Sequence, residues 1–356
     1  MARLFIPGPT DVLPETLAAQ TRPIVGHRSQ ALSDLFARVQ PGLRQVLGTR
    51  QRVYITTSSG SGLQEAAVRN CVSQRLLLCV GGAFAERWFE VARGNGLAVD
   101  RLDAEWGSPH DPQAVEAALR RKTYDSLAIV HNETSTGVEN PVAEIASRAR
   151  AVNPEIVILV DAVSSAGGVP VETEAWGLDV VFTSSQKCFA LPPGLAFAAV
   201  SDHALARAKT IPHRGWYFDF LLLEKCLLQT TTLATPAISL LYALEVQLKR
   251  ILAEGLPSRY ERHARMAARV QSWAAERFAL FATEGFRSRT VTAIRNTRRI
   301  DVTALNAFLA LHDMSIANGY GPPKNQTFRI AHMGEIQRAD IEVLLDRIDE
   351  FLAKVS

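Results

Sequence analysis

The chain has 356 residues, 47% of them hydrophobic and 21% charged, so it is long enough for one large and one smaller globular domain. Its formal net charge of +3 comes from 39 Lys and Arg against 36 Asp and Glu, and no basic block concentrates it. This balance excludes nucleic acid and membrane surfaces as partners. Four cysteines without a CxxC spacing, no secretory signal and no long apolar run predict free thiols and a cytoplasmic location.

In chain order, a strand at 52–57 leads through the small-residue turn 59–62 into a helix. Apolar runs then alternate with amphipathic stretches; the runs lie at 75–80, 126–131, 155–161 and 178–185, and the stretches at 83–93, 112–121 and 142–152. Because the runs are apolar throughout, they predict strands buried on both faces of a mainly parallel sheet. Asp111-Pro112 predicts a capped helix start, and Thr235-Pro236 repeats the pattern before a long helix that ends near Gly255.

After residue 255 the pattern changes to an α+β module. It consists of a helix at 259–278, a strand-like run at 288–295, a helix at 302–312, a strand at 327–333 and a helix at 337–354. We therefore expect an α/β fold with three parts: an N-terminal segment (1–20) that bridges the domains, a large domain (21–250) and a small C-terminal domain (251–356).

Two side chains of opposite charge follow buried apolar runs. Asp161 ends the run EIVILVD, and Lys187 follows the run LDVVFTSS. Ligands gather at the carboxyl ends of the strands in open parallel sheets, so we expect both side chains in one crevice. Two interpretations are open at this point. The pair is either a structural ion pair or the lysine and acid of a pyridoxal-phosphate site, where the lysine forms a Schiff base and the carboxylate keeps the pyridine nitrogen protonated.

The turn Ser59-Gly60-Ser61-Gly62 lies between a strand and a helix. Small residues let the backbone approach an anion, and a helix start presents free N–H groups, so this turn predicts a phosphate cradle. A plain strand-to-helix turn is the alternative. A dinucleotide site is disfavoured because Glu65 stands where a third glycine is needed, and the Walker pattern is missing.

Arg329 lies near the end of a short strand in the small domain. A guanidinium there grips a carboxylate through two parallel hydrogen bonds, although a surface arginine is the simpler interpretation from this residue alone. No HExxH, paired CxxC or EF-hand spacing occurs, so we expect no metal.

Taken together, the chain resembles the class-V, fold-type I aminotransferases, most closely the alanine–glyoxylate, serine–glyoxylate and serine–pyruvate group. The resemblance runs from end to end. It rests on nine segments in order: PGPT near the start, GHRS (26–29), SSGSG with Glu65, G-x-F-x-x-R (82–87), HNETSTGV (131–138), VDAVSSAGG (160–168), SSQKCFALPPG (184–194), T-x-x-TPA (232–237) and FRIAHMG (328–334).

The resemblance implies a role for each matching position. Lys187 is the expected Schiff-base lysine and proton shuttle, Asp161 the partner of the pyridinium nitrogen and Arg329 the ligand of the substrate carboxylate. It also implies a homodimer with shared sites. The other implied cofactor contacts are Ser59, Gly60, Ser61 and Gln186 at the phosphate, Val163 and Phe84 on the two ring faces, Thr134 at the phenolic oxygen, and Thr232 and Thr235 at the partner subunit's phosphate.

The predicted reaction is ping-pong transfer of an amino group between a small amino acid, alanine or serine, and a 2-oxo acid, glyoxylate or pyruvate. No second cation is evident on the substrate side, which favours short substrates over dicarboxylates. Thr232 stands where some relatives have tyrosine. His27 and Arg28 are open to two interpretations, substrate contact or a plain loop.

Two other functions are compatible with the same fold. A lyase or desulfurase needs a nucleophilic cysteine on a mobile loop, whereas Cys71, Cys79, Cys188 and Cys226 all stand in apolar surroundings and are expected to be structural. A non-catalytic subunit that retains the fold is the second alternative, since fold alone does not determine function.

Overall fold

The computed structural model describes residues 3–355, which form two large sheets with helices packed against them and one short two-stranded ladder. A 3-10 turn (Ala19–Thr21) follows the first helix. The helices are α1 (Pro14–Ala18), α2 (Gln30–Val46), α3 (Gly60–Cys71), α4 (Ala83–Gly94), α5 (Pro112–Arg121), α6 (Val142–Val152), α7 (Asp202–Lys209), α8 (Phe220–Leu228), α9 (Ile238–Glu254), α10 (Leu256–Arg277), α11 (Val302–Ala310) and α12 (Arg338–Val355).

The strands fall into a seven-stranded sheet, a five-stranded sheet and a short two-stranded ladder. They are β1 (Arg3–Phe5), β2 (Arg52–Thr56), β3 (Leu76–Val80), β4 (Val99–Asp103), β5 (Ser126–Val130), β6 (Asn132–Glu133), β7 (Val138–Glu139), β8 (Val157–Asp161), β9 (Val180–Ser184), β10 (Ala196–Val200), β11 (Ala279–Leu280), β12 (Val291–Arg295), β13 (Met314–Asn318) and β14 (Thr327–Ala331).

The seven-stranded sheet has the order β2-β10-β9-β8-β5-β3-β4, and every neighbouring pair is parallel except the two that involve β10. Every residue of β3, β5, β8, β9 and β10 is buried. Alternate residues of these strands enter two separate apolar clusters; Ile158 lies in one and Leu159 in the other. The continuous apolar runs therefore form strands covered on both faces, and the predicted α/β fold with a mainly parallel sheet is confirmed.

The five-stranded sheet has the order β1-β13-β14-β12-β11 and is antiparallel apart from the β1–β13 pair. Its core joins Phe5, Trp273 and Phe328 to the apolar faces of α10 and α12. The N-terminal segment also contacts the turn after β9, because the Thr10 amide donates to the Gln186 carbonyl at 3.1 Å. The domain limits at residues 20 and 250 stay predictions, and residues 1, 2 and 356 lie outside the described part.

The two helix starts predicted from X-Pro pairs differ in outcome. Asp111 caps α5, since its carboxylate accepts from the Gln113 amide at 2.9 Å. The prediction for Thr235-Pro236 is wrong, because α9 begins at Ile238 after an N-cap residue, Ala237, without a side-chain cap. The Ala237 amide donates instead to the Thr57 hydroxyl at 3.3 Å.

Within residues 3–355, no helix is both long enough and apolar enough to cross a bilayer. The same residues contain no group of three or more His, Cys, Asp or Glu side chains that could hold a metal ion.

Candidate active site

A cavity lies at the carboxyl edge of the large sheet. β8 ends at Asp161 and β9 ends at Ser184, and Lys187 follows in the next turn. Because parallel strands end at the same edge, these residues meet in one cavity of about 220 Å³. Its lining consists of Ser59, Gly60, Ser61, Gln64, Phe84, Arg87, Val130, Asn132, Thr134, Asp161, Val163, Ser184, Gln186 and Lys187.

Lys187 is only 9% exposed, and its Nζ donates to the Pro7 carbonyl. Burial, reinforced by the positive charge of Arg329, lowers the pKa of Lys187 to about 8. The backbone of Gly8 passes directly over this side chain with φ at +96°, and a Cβ there would stand 2.6 Å from Lys187 Cδ. The glycine thus lets the N-terminal segment cover an amine that loses its proton near neutral pH.

Asp161 is buried, and its carboxylate accepts from the Val163 amide and from Gln64 Nε2, both at 2.9 Å. Burial raises the pKa of Asp161 to about 6, against the lowering effect of these two hydrogen bonds. Over the described residues no ion pair joins Asp161 to Lys187, whose ammonium instead meets a carbonyl. The geometry therefore does not match the structural ion pair that the sequence left open.

The turn before α3 forms one end of the cavity. Ser59 is the N-cap residue and makes no side-chain cap hydrogen bond, so the first N–H groups of α3 have no side-chain partner there. Gly60 packs against Val163, and a Cβ at Gly60 would stand 2.6 Å from Val163 Cγ2. Ser184 Oγ and Gln186 Oε1 are buried without a hydrogen-bond partner in the described chain. Unpaired donors and acceptors around a helix start suit a phosphate group.

Phe84 lies on the opposite wall and stacks on Tyr320, with ring centroids 5.6 Å apart and planes 14° apart. Its position is held by Glu133, a buried residue that the sequence argument missed. The Glu133 carboxylate accepts from the Phe84 and Ala85 amides, each at 3.2 Å, and from Ser135 Oγ at 2.6 Å. Burial raises the pKa of Glu133, and its bonds to these N–H groups oppose that rise.

Thr134 and Arg329 meet beside the cavity. Thr134 Oγ1 lies 2.6 Å from Ser164 Oγ, and Arg329 Nη1 donates to the Thr134 carbonyl at 3.3 Å. Arg329 is 7% exposed, and burial lowers its pKa to about 10. It has no carboxylate partner among residues 3–355, so its charge is available to a ligand.

Thr232 and Thr235 do not reach this cavity within one chain. They line a separate groove of about 30 Å³ together with Thr57, Tyr217 and Leu223 among others. Thr232 Oγ1 is buried without a partner in the described chain, and Arg28 donates to the Thr232 carbonyl at 2.7 Å. The predicted contact of both threonines with a partner subunit stays a prediction, and His27 is exposed in the loop before α2.

Five cavity residues were not predicted from the sequence: Gln64, Arg87, Val130, Asn132 and Ser184. Signals for three of them existed. Gln64 lies one turn after Gly60 on the same helix face, and Ser184, the last residue of β9, precedes Gln186 of the following turn by two residues. Asn132 belongs to the segment HNETSTGV, and its Oδ1 is buried without a partner in the described structure.

The four cysteines are free and none lines the cavity. Cys188 adjoins Lys187 but points towards the Ser164 carbonyl at 3.7 Å, and burial raises its pKa to about 11. A thiol in this state is a poor nucleophile at neutral pH, which disfavours desulfurase chemistry.

Pyridoxal phosphate fits the residues that are present. The cavity offers an anion cradle with unpaired polar atoms at the α3 turn, an amine at Lys187 for an aldehyde, and a buried carboxylate at Asp161 for a ring nitrogen. The ends of strands and one helix start bring these three groups together. A ligand that carries a phosphate, an aldehyde and a ring nitrogen can therefore contact all three at once.

Comparison with known proteins gives the same assignment. The family model of aminotransferase class-V matches residues 13–319. The soluble hydrogenase small subunit of Synechococcus sp. is 34% identical over 99% of this chain and 94% of its own length. The L-aspartate–glyoxylate aminotransferase of Paracoccus denitrificans is 31% identical over 94% of this chain and 87% of its own length.

A crystal structure of an alanine–glyoxylate aminotransferase from Nostoc sp. superposes with a TM-score of 0.93 at 27% identity, covering 99% of this chain and 96% of that one. The match therefore extends over both sheets and over the cavity at the carboxyl edge of the large sheet. The chain belongs to the class-V aminotransferase family and is a transaminase that depends on pyridoxal phosphate.

Proposed function

We propose that this transaminase moves an amino group from alanine or serine to glyoxylate or pyruvate by a ping-pong mechanism. The observation that carries the proposal is the pairing, in one small cavity, of a lysine whose pKa is lowered to about 8 with a buried carboxylate. The Nostoc and Paracoccus proteins are named for alanine and aspartate as amino donors. The proposal takes alanine and serine first because the cavity is small.

Lys187 is the proposed general base and acid. Its amine removes a proton from the substrate Cα and then delivers a proton to a different atom. A pKa of about 8, close to neutral pH, suits both the removal and the delivery. When bound, pyridoxal phosphate supplies the electron sink for this proton transfer. Asp161 is largely ionised above pH 6 and is proposed to keep the ring nitrogen protonated, with Gln64 orienting the carboxylate.

The other proposed contacts follow the positions around the cavity. Ser59, Gly60, Ser61 and Gln186 hold the phosphate at the start of α3, and Thr134 faces the phenolic oxygen. Val163 and Phe84 pack on the two ring faces. Arg329 binds the substrate carboxylate, because its buried guanidinium has no acidic partner in residues 3–355 and lies against Thr134.

An absorbance experiment tests this function. Purified protein with pyridoxal phosphate is expected to show the visible band of a lysine-bound cofactor, which alanine or serine removes and glyoxylate restores. Lys187→Ala is expected to lack the band, whereas Lys209→Ala, a change of an exposed lysine on α7, keeps it. A wild-type protein that stays colourless with added cofactor would contradict the proposal.

The proposed assembly is a homodimer in which Thr232 and Thr235 complete the partner's phosphate site. The segment around them is apolar and uncovered in a single chain. α8 has the sequence FLLLEKCLL, yet only Phe220 is buried, while Trp216 is 59% exposed and Leu228 is 76% exposed. A helix of this composition needs a partner surface, and a second copy closes such a patch by twofold symmetry.

Mass measurement in solution tests the dimer. Leu228→Asp is expected to shift the protein towards the monomer and to weaken cofactor binding with it. Leu311→Asp is the matched control, because Leu311 is 81% exposed but lies at the end of α11, away from α8. Equal masses for wild type and Leu228→Asp would place the interface elsewhere.

We also propose a cytoplasmic location, since all four cysteines are free and three of them are buried. Such thiols persist in a reducing compartment. Thiol titration of freshly prepared, denatured protein is expected to find four reactive groups without added reductant, and fewer than four would argue for an oxidising compartment.

A further inference from the structure

Arg87 is a cation in the cavity wall that the proposed roles do not use. It is half-buried in α4, four residues after the start of the helix at Ala83, and lines the cavity with Lys187 and Asp161. No carboxylate pairs with it over residues 3–355. The contrast with Arg101 on the neighbouring β4 is clear, since Arg101 is paired with both Glu86 and Asp103. An arginine left without an acid in a cavity wall is a site for an anion.

The contacts of Arg87 leave most of its donors available. Nη2 donates to the Tyr320 hydroxyl at 2.9 Å, and Nη1 lies 3.5 Å from Ser61 Oγ. Its Cζ stands 5.0 Å from the centre of the Phe84 ring. A guanidinium has five N–H donors, and these two bonds to neutral hydroxyls do not compensate its charge.

Two unpaired guanidinium groups therefore flank the cavity. Arg87 lines it beside Ser61, and Arg329 lies next to it, where Nη1 donates to the carbonyl of the lining residue Thr134. Tyr320 links them, because Arg329 Cζ also stands 5.6 Å from the centre of its ring. The positive charge of Arg87 acts inside the cavity as well, since it is one of the charges that lower the pKa of Lys187.

A substrate with a single carboxylate satisfies Arg329 and offers no carboxylate to Arg87, whose other anion within reach is the cofactor phosphate proposed at Ser61. We propose that Arg87 binds the side-chain carboxylate of a dicarboxylic amino acid of aspartate size, so that the enzyme accepts this donor class beside alanine and serine. Guanidinium and carboxylate match in geometry and form two parallel hydrogen bonds. The inference rests on the proposed transaminase site, and it replaces the expectation that the substrate side has no second cation.

Half-reaction kinetics with L-aspartate and L-alanine test the assignment. Arg87→Met removes the charge and keeps the length of the side chain, and it is expected to lower kcat/KM for aspartate by about 10- to 100-fold, mainly through KM. The loss for alanine is expected to be a few-fold at most. Arg87→Lys should recover part of the aspartate activity. Arg93→Met is the matched control, because Arg93 is an exposed residue of the same helix.

Two results would overturn the assignment. An equal loss for both donors, together with weaker cofactor binding in a fluorescence titration, would make Arg87 a ligand of the cofactor phosphate instead. Wild-type enzyme that does not use aspartate would also refute it. Both results are distinct from failure of the transaminase proposal, in which the visible band and its response to alanine are missing from the wild type.

Discussion

The cavity around Lys187 and the segment from 213 to 237 differ in how complete they are within one chain. In the cavity, the charged groups are buried and their bonds are defined: Asp161 by Gln64 and Val163, and Lys187 by Pro7. In the segment, aromatic and aliphatic side chains are exposed, and the Thr232 hydroxyl has no partner within the described residues. The homodimer proposed above accounts for the difference: one chain carries the chemical groups, and a second chain would close the site.

The two regions also differ in what destabilises a single, cofactor-free chain: buried charge in the cavity and exposed apolar surface in the segment. Burying Asp161 and Lys187 without pairing them destabilises the apo fold, and a bound ligand offsets that cost by meeting both charges. The segment instead exposes apolar surface, and association offsets it. The predictions that follow separate these two costs, beginning with the largest expected effect.

Asp161→Asn tests the cost in the cavity. Without the carboxylate, kcat/KM is expected to fall by about 10²–10³-fold, because charge at the ring nitrogen is no longer stabilised. The apo protein should gain about 2–3 kcal/mol of unfolding free energy at pH 8, since burial raises the pKa of Asp161 to about 6. Denaturant unfolding of the cofactor-free protein measures the gain.

The sign of this stability change depends on pH. A carboxyl whose pKa is raised on folding destabilises the protein once it is ionised, so the cost is complete above about pH 6 and disappears as the pH falls towards 3.8. The variant should therefore gain stability relative to the wild type at pH 8 but not at pH 4. A variant that is less stable than the wild type at pH 8 would contradict a cost of burying this carboxylate.

The lowered pKa of Lys187 predicts how quickly apo protein captures pyridoxal phosphate. Only the neutral amine attacks an aldehyde, so the capture rate should rise about tenfold per pH unit and level off above pH 8. Stopped-flow absorbance measures the rate, and Lys187→Ala provides the blank. A profile that continues to rise to pH 10 would indicate an ordinary, solvated lysine.

The threonines of the segment predict the smallest effect. Thr232→Val and Thr235→Val should each weaken cofactor affinity about five- to tenfold, the loss of one hydrogen bond to a charged group. Thr303→Val, a change at an exposed position of α11, serves as the control for the substitution itself. Unchanged affinity in both segment variants would remove these residues from the phosphate site.

Much of this architecture was predictable because its signals are local. The apolar runs that form β3, β5, β8 and β9 are continuous and bounded by turns; Asp161 is the last residue of β8, and Lys187 lies in the turn after β9. A residue that follows a buried parallel strand reaches the ligand edge of the sheet without further information. The strands of the sheet and the positions of Asp161 and Lys187 were therefore predictable from residues close together in the chain.

The remaining features depend on contacts between distant residues. The antiparallel direction of β10 depends on its neighbours β2 and β9, which its own apolar sequence does not reveal. The Ala237 amide, just before α9, donates to the Thr57 hydroxyl, which comes from 180 residues earlier in the chain. Arg87 stood in a noted segment, but only the fold shows that its side chain reaches the cavity, and Glu133 is a buried carboxylate whose partners are the amides of α4.

Subunit complementation tests most directly whether two chains share one site. A Lys187→Ala chain and a chain carrying both Thr232→Val and Thr235→Val are each expected to be impaired, the first fully and the second partly. When the two are mixed and allowed to exchange, one of the two sites of a heterodimer regains both the lysine and the threonines, so activity per lysine-bearing chain should rise above that of the double variant alone. Activity that never exceeds that of the double variant would contradict a shared site and would make the cavity complete within one chain.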